Sequence, residues 1–145
     1  SRGMVAGQAI DLAAVETMLT IDELEAMHQL KTGALIRAAV LAGGAAANAS
    51  NTQLDCLDGY ARAIGLAFQV HDDVLDVESD TATLGKRQGA DAARGKPTYA
   101  SLLGLDGAKA RATQLINDAQ AAIVPLGDRA ARLHQLADFI ITRSQ

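Results

Sequence analysis

The sequence predicts an all-α fold, and three observations carry the prediction. Aromatic residues make up only 3% of the 145 residues while alanine is abundant, a balance that suits close-packed helices rather than a sandwich of strands. Nowhere does an apolar–polar alternation of period two run long enough for a convincing strand. Apolar residues recur instead at three- and four-residue intervals from Met4 to Ile140. With 49% hydrophobic residues the chain has material for one sizeable core.

Residues 4–19 read as the first helix, continuing to about Met18, with Gln8 and Asp11 sharing a face at i,i+3. Thr20 followed by Glu23 is a capping-box pattern and starts the second helix near Ile21. On that helix Leu24, Met27, Ala34, Leu35 and Ala38 form one apolar stripe, and Lys31 projects into its centre. Such a lysine either snorkels to water or meets a buried anion. Thr32 adds a small hydroxyl beside it. Gly43-Gly44 loosens the helix, and the turn before the next falls at 48–51, with Ser50 or Asn51 as cap.

The third helix, Tyr60 to Glu78, is the centre of the chain. At about 100° per residue, Gln69, Asp72, Asp73 and Asp76 fall within one arc roughly 100° wide, and Gly65 projects onto it without adding bulk. Ala63, Ile64, Leu66, Ala67, Phe68, Val70, Val74, Leu75 and Val77 fill most of the rest. A helix apolar nearly all round belongs in the interior, so its acids are either buried or aimed into a cavity. Like charges at i,i+4 repel, and buried carboxylates must be paired, protonated or metal-bound. Oxygen donors alone suit Mg²⁺ rather than zinc. A solvated acidic face is the plainer alternative.

Ser79 to Lys96 is irregular, with Gly85, Gly89 and Gly95 among Lys86, Arg87, Arg94 and Lys96. Following an acidic helix, such a loop suits closure over a bound anion. Gly85-Lys86 lacks the glycine spacing of a P-loop. Pro97 suits the first position of a helix reaching Leu103, after which Gly104 punctuates the chain. Asp106 can cap a helix with Ala108, Leu115, Ile116, Ala119, Ile123 and Val124 at helical spacing. Pro125 and Gly127 end it, and Asp128 caps the last, whose apolar face is Leu133, Leu136, Phe139 and Ile140. His134 reads as a surface residue.

A net charge of −4 argues against bulk binding to nucleic acid. Cys56 is the single cysteine, so there is no internal disulfide, and a reducing cytosol fits. No uncharged apolar run is long enough to span a membrane. The opening Ser1-Arg2-Gly3-Met4-Val5 is already helix-compatible, as in the middle of something larger.

With these residues assembled, the chain resembles the C-terminal half of the trans-prenyltransferases, the all-α isoprenyl diphosphate synthases, and within them the bacterial short-chain members. The resemblance covers essentially all 145 residues. It rests on Gly7-Gln8-x-x-Asp11, Lys31-Thr32-Gly33, Phe68-Gln69-x-x-Asp72-Asp73-x-x-Asp76, Thr83-Leu84-Gly85-Lys86 and Gly95-Lys96-Pro97-Thr98-Tyr99, in that order. It implies an isoprenoid-synthase helical bundle in which two aspartate-rich motifs face each other and three Mg²⁺ ions (Mn²⁺ as a substitute) bridge them to an allylic diphosphate. Asp72, Asp73 and Asp76 match the second motif, the first aspartate being the principal ligand. Lys31, Lys86 and Lys96 match lysines that bind the diphosphate. Thr32 and Gln69, with Lys31, match the residues lining the place where positive charge develops. Gln8 and Asp11 match positions flanking the allylic site, and Phe68 heads the substrate-lining motif.

The implied reaction condenses dimethylallyl or geranyl diphosphate with isopentenyl diphosphate. His71, commonly glutamine in relatives, projects away from the acidic arc and should matter little. The first aspartate-rich motif, the basic residues for isopentenyl diphosphate and the chain-length gate belong to the family's N-terminal half, which these residues do not include. The expectation is therefore half an active site, inactive alone, completed by that N-terminal half within a cytoplasmic homodimer. A non-catalytic regulatory or scaffold subunit of the same fold is the alternative.

Overall fold

The computed structural model describes residues 3–14, 19–82 and 97–143, of which 79–82 are described in backbone only. Every regular element in them is helical: α1 (Met4–Ala13), α2 (Ile21–His28), a π turn (Gln29–Gly33), α3 (Ala34–Ala46), α4 (Asn51–Ala82), α5 (Tyr99–Ile123), a 3₁₀ stretch (Val124–Ala130) and α6 (Ala131–Thr142). None of the helices described is long and apolar enough to cross a membrane.

The caps follow from sequence. Thr20 accepts from the Glu23 amide while Glu23 returns a carboxylate to the Thr20 amide, so α2 starts where its capping box demands. Ser50 and Gln53 make the same exchange at the start of α4. Gly43-Gly44 does not break α3, which runs on to Ala46; the chain turns at Asn48, held at φ 55°. The fifth helix starts later than Pro97, because Thr98 is the extended cap whose hydroxyl accepts from Ser101 at 3.1 Å. Gly104 (φ 72°) then kinks it, as its position in the sequence suggested. Asp128 does not cap α6; a 3₁₀ stretch intervenes, and the capping position is Ala130, without a side-chain bond.

The core is built on α4, which packs most extensively on α5 and is flanked by α3 and α6. Tyr60, Ile64, Ala67, Val70 and Val74 of α4 meet Ala108, Ala112, Ile116, Ala119 and Ile123 of α5, all essentially buried. Small alanines let the two axes approach closely. Val124, expected in this face, is exposed instead, since the helix ends at Ile123. In α6 the buried residues are Ala137 and Ile140, while Leu136 and Phe139 are exposed.

The second predicted helix is the instructive one. Its first half buries Leu24 and Met27 as expected, yet Leu35 is 70% exposed and Ile36 and Val40 pack on the core in its place. The π turn at Gln29–Gly33 is the cause. A π turn inserts one residue into an α-helix and so rotates everything beyond it by about 100°. The apolar stripe is therefore continuous in space but shifted by one residue in sequence.

Candidate active site

The π turn lies against the one polar face of α4, and two glycines put it there. A Cβ on Gly7 would fall 2.3 Å from the Lys31 amide nitrogen, so α1 rests directly on the turn's backbone. On the other side, a Cβ on Gly65 would come within 3.0 Å of the Gly33 Cα. Glycine is required at both contacts because backbone meets backbone there.

Held this way, Lys31 meets a buried anion, the second of the two fates open to it. Its Nζ donates to Asp11 Oδ2 at 2.9 Å; Asp11 is buried and the lysine side chain is 27% exposed. A carboxylate this buried requires a cation, and the pair fixes the ammonium at the surface rather than letting it sweep freely. Gln8, earlier on the same helix, is half-buried.

Thr32 faces α4. Its hydroxyl donates to Gln69 Oε1 at 3.4 Å, and Gln69 Nε2 in turn approaches Asp73 Oδ1 at 3.4 Å. The other Asp73 oxygen accepts the Tyr99 amide at 2.8 Å. Asp73, only 7% exposed, thus closes the start of α5, taking up one of the orphan amides of its first turn. Tyr99 itself is fully buried and stacks on His28 with ring centroids 5.7 Å apart. Burial chiefly, and then the carboxylate of Glu25, push its phenol far above the ordinary tyrosine range. Glu25 is clasped by Arg111 of α5 through two bonds of 2.9 and 3.0 Å.

Asp72 behaves differently from its neighbour. Its side chain is 39% exposed and is paired with the guanidinium of Arg143, which also lies 4.2 Å above the Phe68 ring. His71, buried, meets the Arg143 carbonyl through Nε2 at 3.1 Å. His71 does point away from the acidic arc, but it anchors the segment whose arginine covers that arc. Asp76, half-buried, is one turn further along. Among the described residues, no three histidine, cysteine, aspartate or glutamate side chains converge as a metal-holding group. The acidic stripe is thus divided between Asp73, turned inward to α5, and Asp72, at the surface. Lys86, Lys96 and the expected lid around them lie outside the described residues.

Sequence reasoning missed Arg143, His28 and the structural part of Tyr99. Only Tyr99 left a signal, as the residue after the Thr98 cap. The division between Asp72 and Asp73 left none in the periodicity, since both project onto the same arc.

Residues 1–124 match the Polyprenyl synthetase family. The chain is 51% identical to the farnesyl diphosphate synthase of Escherichia coli (strain K12) over 147 aligned positions, covering 99% of this chain and 49% of that protein. It therefore spans about half the length of the curated relatives it matches. Among solved structures, an FPP/GFPP synthase from Zymomonas mobilis superimposes with a TM-score of 0.79 at 40% identity, over 95% of this chain and 45% of that one. A geranyltransferase from Helicobacter pylori, complexed with magnesium and isoprenyl diphosphate, gives a TM-score of 0.75 at 29% identity, over 96% and 46%.

Proposed function

The chain belongs to the polyprenyl synthetase family, and from that premise we propose that it forms one wall of a Mg²⁺-dependent prenyltransferase site of the farnesyl diphosphate synthase type. In this reading it is the C-terminal part of a single helical domain. One observation carries it: the π turn presents Lys31 and Thr32 against the acidic stripe, with Thr32 bonded to Gln69.

The donor set fits the ion. Mg²⁺ binds through one or two carboxylates, waters and substrate phosphate oxygens. Asp72 and Asp76, one turn apart on α4, supply such carboxylates. The ion pair of Asp72 with the guanidinium of Arg143 supports this reading, since it puts a positive group beside that carboxylate. When bound, Mg²⁺ would neutralise the diphosphate and ease its departure. The Helicobacter relative, whose structure holds magnesium and isoprenyl diphosphate, supports the choice of ion.

In the reaction the allylic C–O bond breaks and the diphosphate leaves with the electron pair. The double bond of isopentenyl diphosphate would then attack the allylic cation, and the proton lost from the resulting cation would pass to the released diphosphate. Lys31, steadied by Asp11, would bind the allylic diphosphate as its charge develops. Lys86 and Lys96 are assigned the same task by the family resemblance alone. The Thr32 hydroxyl and the Gln69 carbonyl would face the carbocation with their oxygens. Gln8 would flank the allylic chain and Phe68 would line its pocket.

Exposed apolar side chains on α1 (Met4, Val5, Leu12) and Leu35 of α3 suit burial against the remainder of a full-length bundle, and the exposed Phe139 suits a second copy. The decisive experiment joins these 145 residues to the N-terminal half of the E. coli relative. The hybrid is assayed with geranyl diphosphate, labelled isopentenyl diphosphate and Mg²⁺. A C15 product abolished by EDTA is expected from the hybrid and none from the 145 residues alone; a folded hybrid without product overturns the reading.

A further inference from the structure

We propose that Asp73 is a positioning residue that dictates which way the Gln69 amide points, and that it is no ligand of the metal. The inference rests on the prenyltransferase reading above. It deepens that reading by giving adjacent aspartates of one motif separate tasks.

The argument is one of donors and acceptors. A carboxylate that takes the Tyr99 amide on one oxygen and an amide nitrogen on the other is acceptor-only at both. Gln69 must therefore turn its NH₂ toward Asp73. Reversed, its carbonyl oxygen would face a carboxylate oxygen at 3.4 Å, two negative ends in a buried place. Because the two ends of an amide point apart, the carbonyl is then delivered to the opposite side, where Thr32 already donates to it at 3.4 Å. That is the side of Lys31 and of the proposed carbocation. The Tyr99 bond at 2.8 Å pins the carboxylate itself. The chain of contacts, α5 amide to Asp73 to Gln69 to Thr32, thus sets the sign of the dipole that the cation meets. An inverted amide would present hydrogens where positive charge develops. Burial supports the division of labour: Asp73 is 7% exposed, whereas the Asp72 side chain is 39% exposed.

Asp73→Asn tests this almost isosterically. The Tyr99 amide still needs an acceptor, so the asparagine oxygen stays there and its NH₂ faces Gln69, which must flip. In the complete hybrid enzyme we expect kcat to fall about 10- to 100-fold, as when a buried positioning partner or a preorganised dipole is lost. KM for both diphosphates and the Mg²⁺ concentration for half-maximal rate should stay unchanged. In a Gln69→Met background, Asp73→Asn should cost no further kcat. Asp73→Ser, which keeps an acceptor for Tyr99, serves if Asp73→Asn does not fold, and the same coupling to Gln69 is expected. Mg²⁺-dependent binding of inorganic diphosphate, measured by calorimetry, gives a readout independent of turnover and should not change. A raised Mg²⁺ requirement, weakened diphosphate binding, or an equal kcat loss with and without the Gln69 amide would each overturn the inference. An inactive wild-type hybrid would overturn the prenyltransferase reading and this inference with it.

Discussion

The two faces of α4 are held by different physics. Toward α5 and α6, Tyr60, Ile64, Ala67, Val70 and Val74 are buried by apolar area, a non-directional attraction spread over many atoms. On the polar face, Gly65, Gln69, Asp72 and Asp73 are placed by single atoms: a few directional bonds to the π turn, to α5 and to Arg143, or the lack of a Cβ. The first face tolerates exchange of one aliphatic residue for another, because volume and pattern suffice. On the second, the proposed chemistry would fail when one atom moves. Stability should therefore follow the first face and activity the second.

The largest expected effect lies on the polar face. Asp72→Ala in the complete hybrid should lower turnover about 10³-fold or more, since a carboxylate proposed to hold the ion is lost. Its unfolding midpoint in urea should change little, because Asp72 is partly exposed and its ion pair with Arg143 lies at the surface. A normal rate would remove Asp72 from the site, and a lost fold would erase the contrast between faces.

Next come two glycines of opposite expectation. Gly7→Ala thrusts a methyl group to within 2.3 Å of the Lys31 nitrogen and should cost about 1–3 kcal/mol of stability. Since it shifts the π turn, it should lower activity as well. Gly43, in α3, has open space around its missing Cβ. Gly43→Ala should add about 0.5–1 kcal/mol by stiffening the unfolded chain and favouring the helix. Chemical denaturation of both variants checks the pair, and equal effects would mean that the close approach at Gly7 does not matter.

How far the sequence reveals this architecture depends on the same contrast. The buried side of α4 was legible, because area-driven burial leaves a periodic signature that any window displays. So were the Thr20 cap, the Ser50 turn and the Gly104 kink, each a local pattern with a local cause. Lys31 was legible as an anomaly, and the buried anion it required is Asp11. The π turn was not: a one-residue insertion leaves both halves of the stripe intact and shows only when the halves are superposed. Nor could periodicity separate Asp72 from Asp73, which differ by what approaches them from α5 and the C-terminal segment. Contacts between distant segments write no pattern into either one.

A smaller effect probes the apolar face at a directional contact. The Tyr60 hydroxyl donates to the Leu133 carbonyl at 2.8 Å, tying α4 to α6, and burial pushes its phenol up to about 12. Tyr60→Phe should cost about 1 kcal/mol, the usual net value of a buried neutral hydrogen bond. Activity should be untouched, because nothing on the polar face depends on it. A loss of turnover at equal stability would show that the two faces communicate.

The smallest effect is expected at the rim of α3 and α4, where Asp58 joins Arg37 and Arg62. The Arg37 hydrogen bond, ahead of burial, which opposes it, holds the Asp58 carboxyl below its ordinary value of 3.8. A carboxyl whose folded pKa is depressed contributes stability above its unfolded pKa and loses it as pH falls through the folded value. Asp58→Asn should therefore cost about 0.5–1 kcal/mol at pH 7, the range of partly exposed pairs, and the difference from wild type should shrink to nothing in strong acid. High salt should shrink it too, since such pairs are screened. Thermal melts at pH 7 and in acid, each with and without 1 M salt, read both dependences. A gap that persisted in acid would place the stabilisation in packing rather than charge, and this rim would then belong with the apolar face.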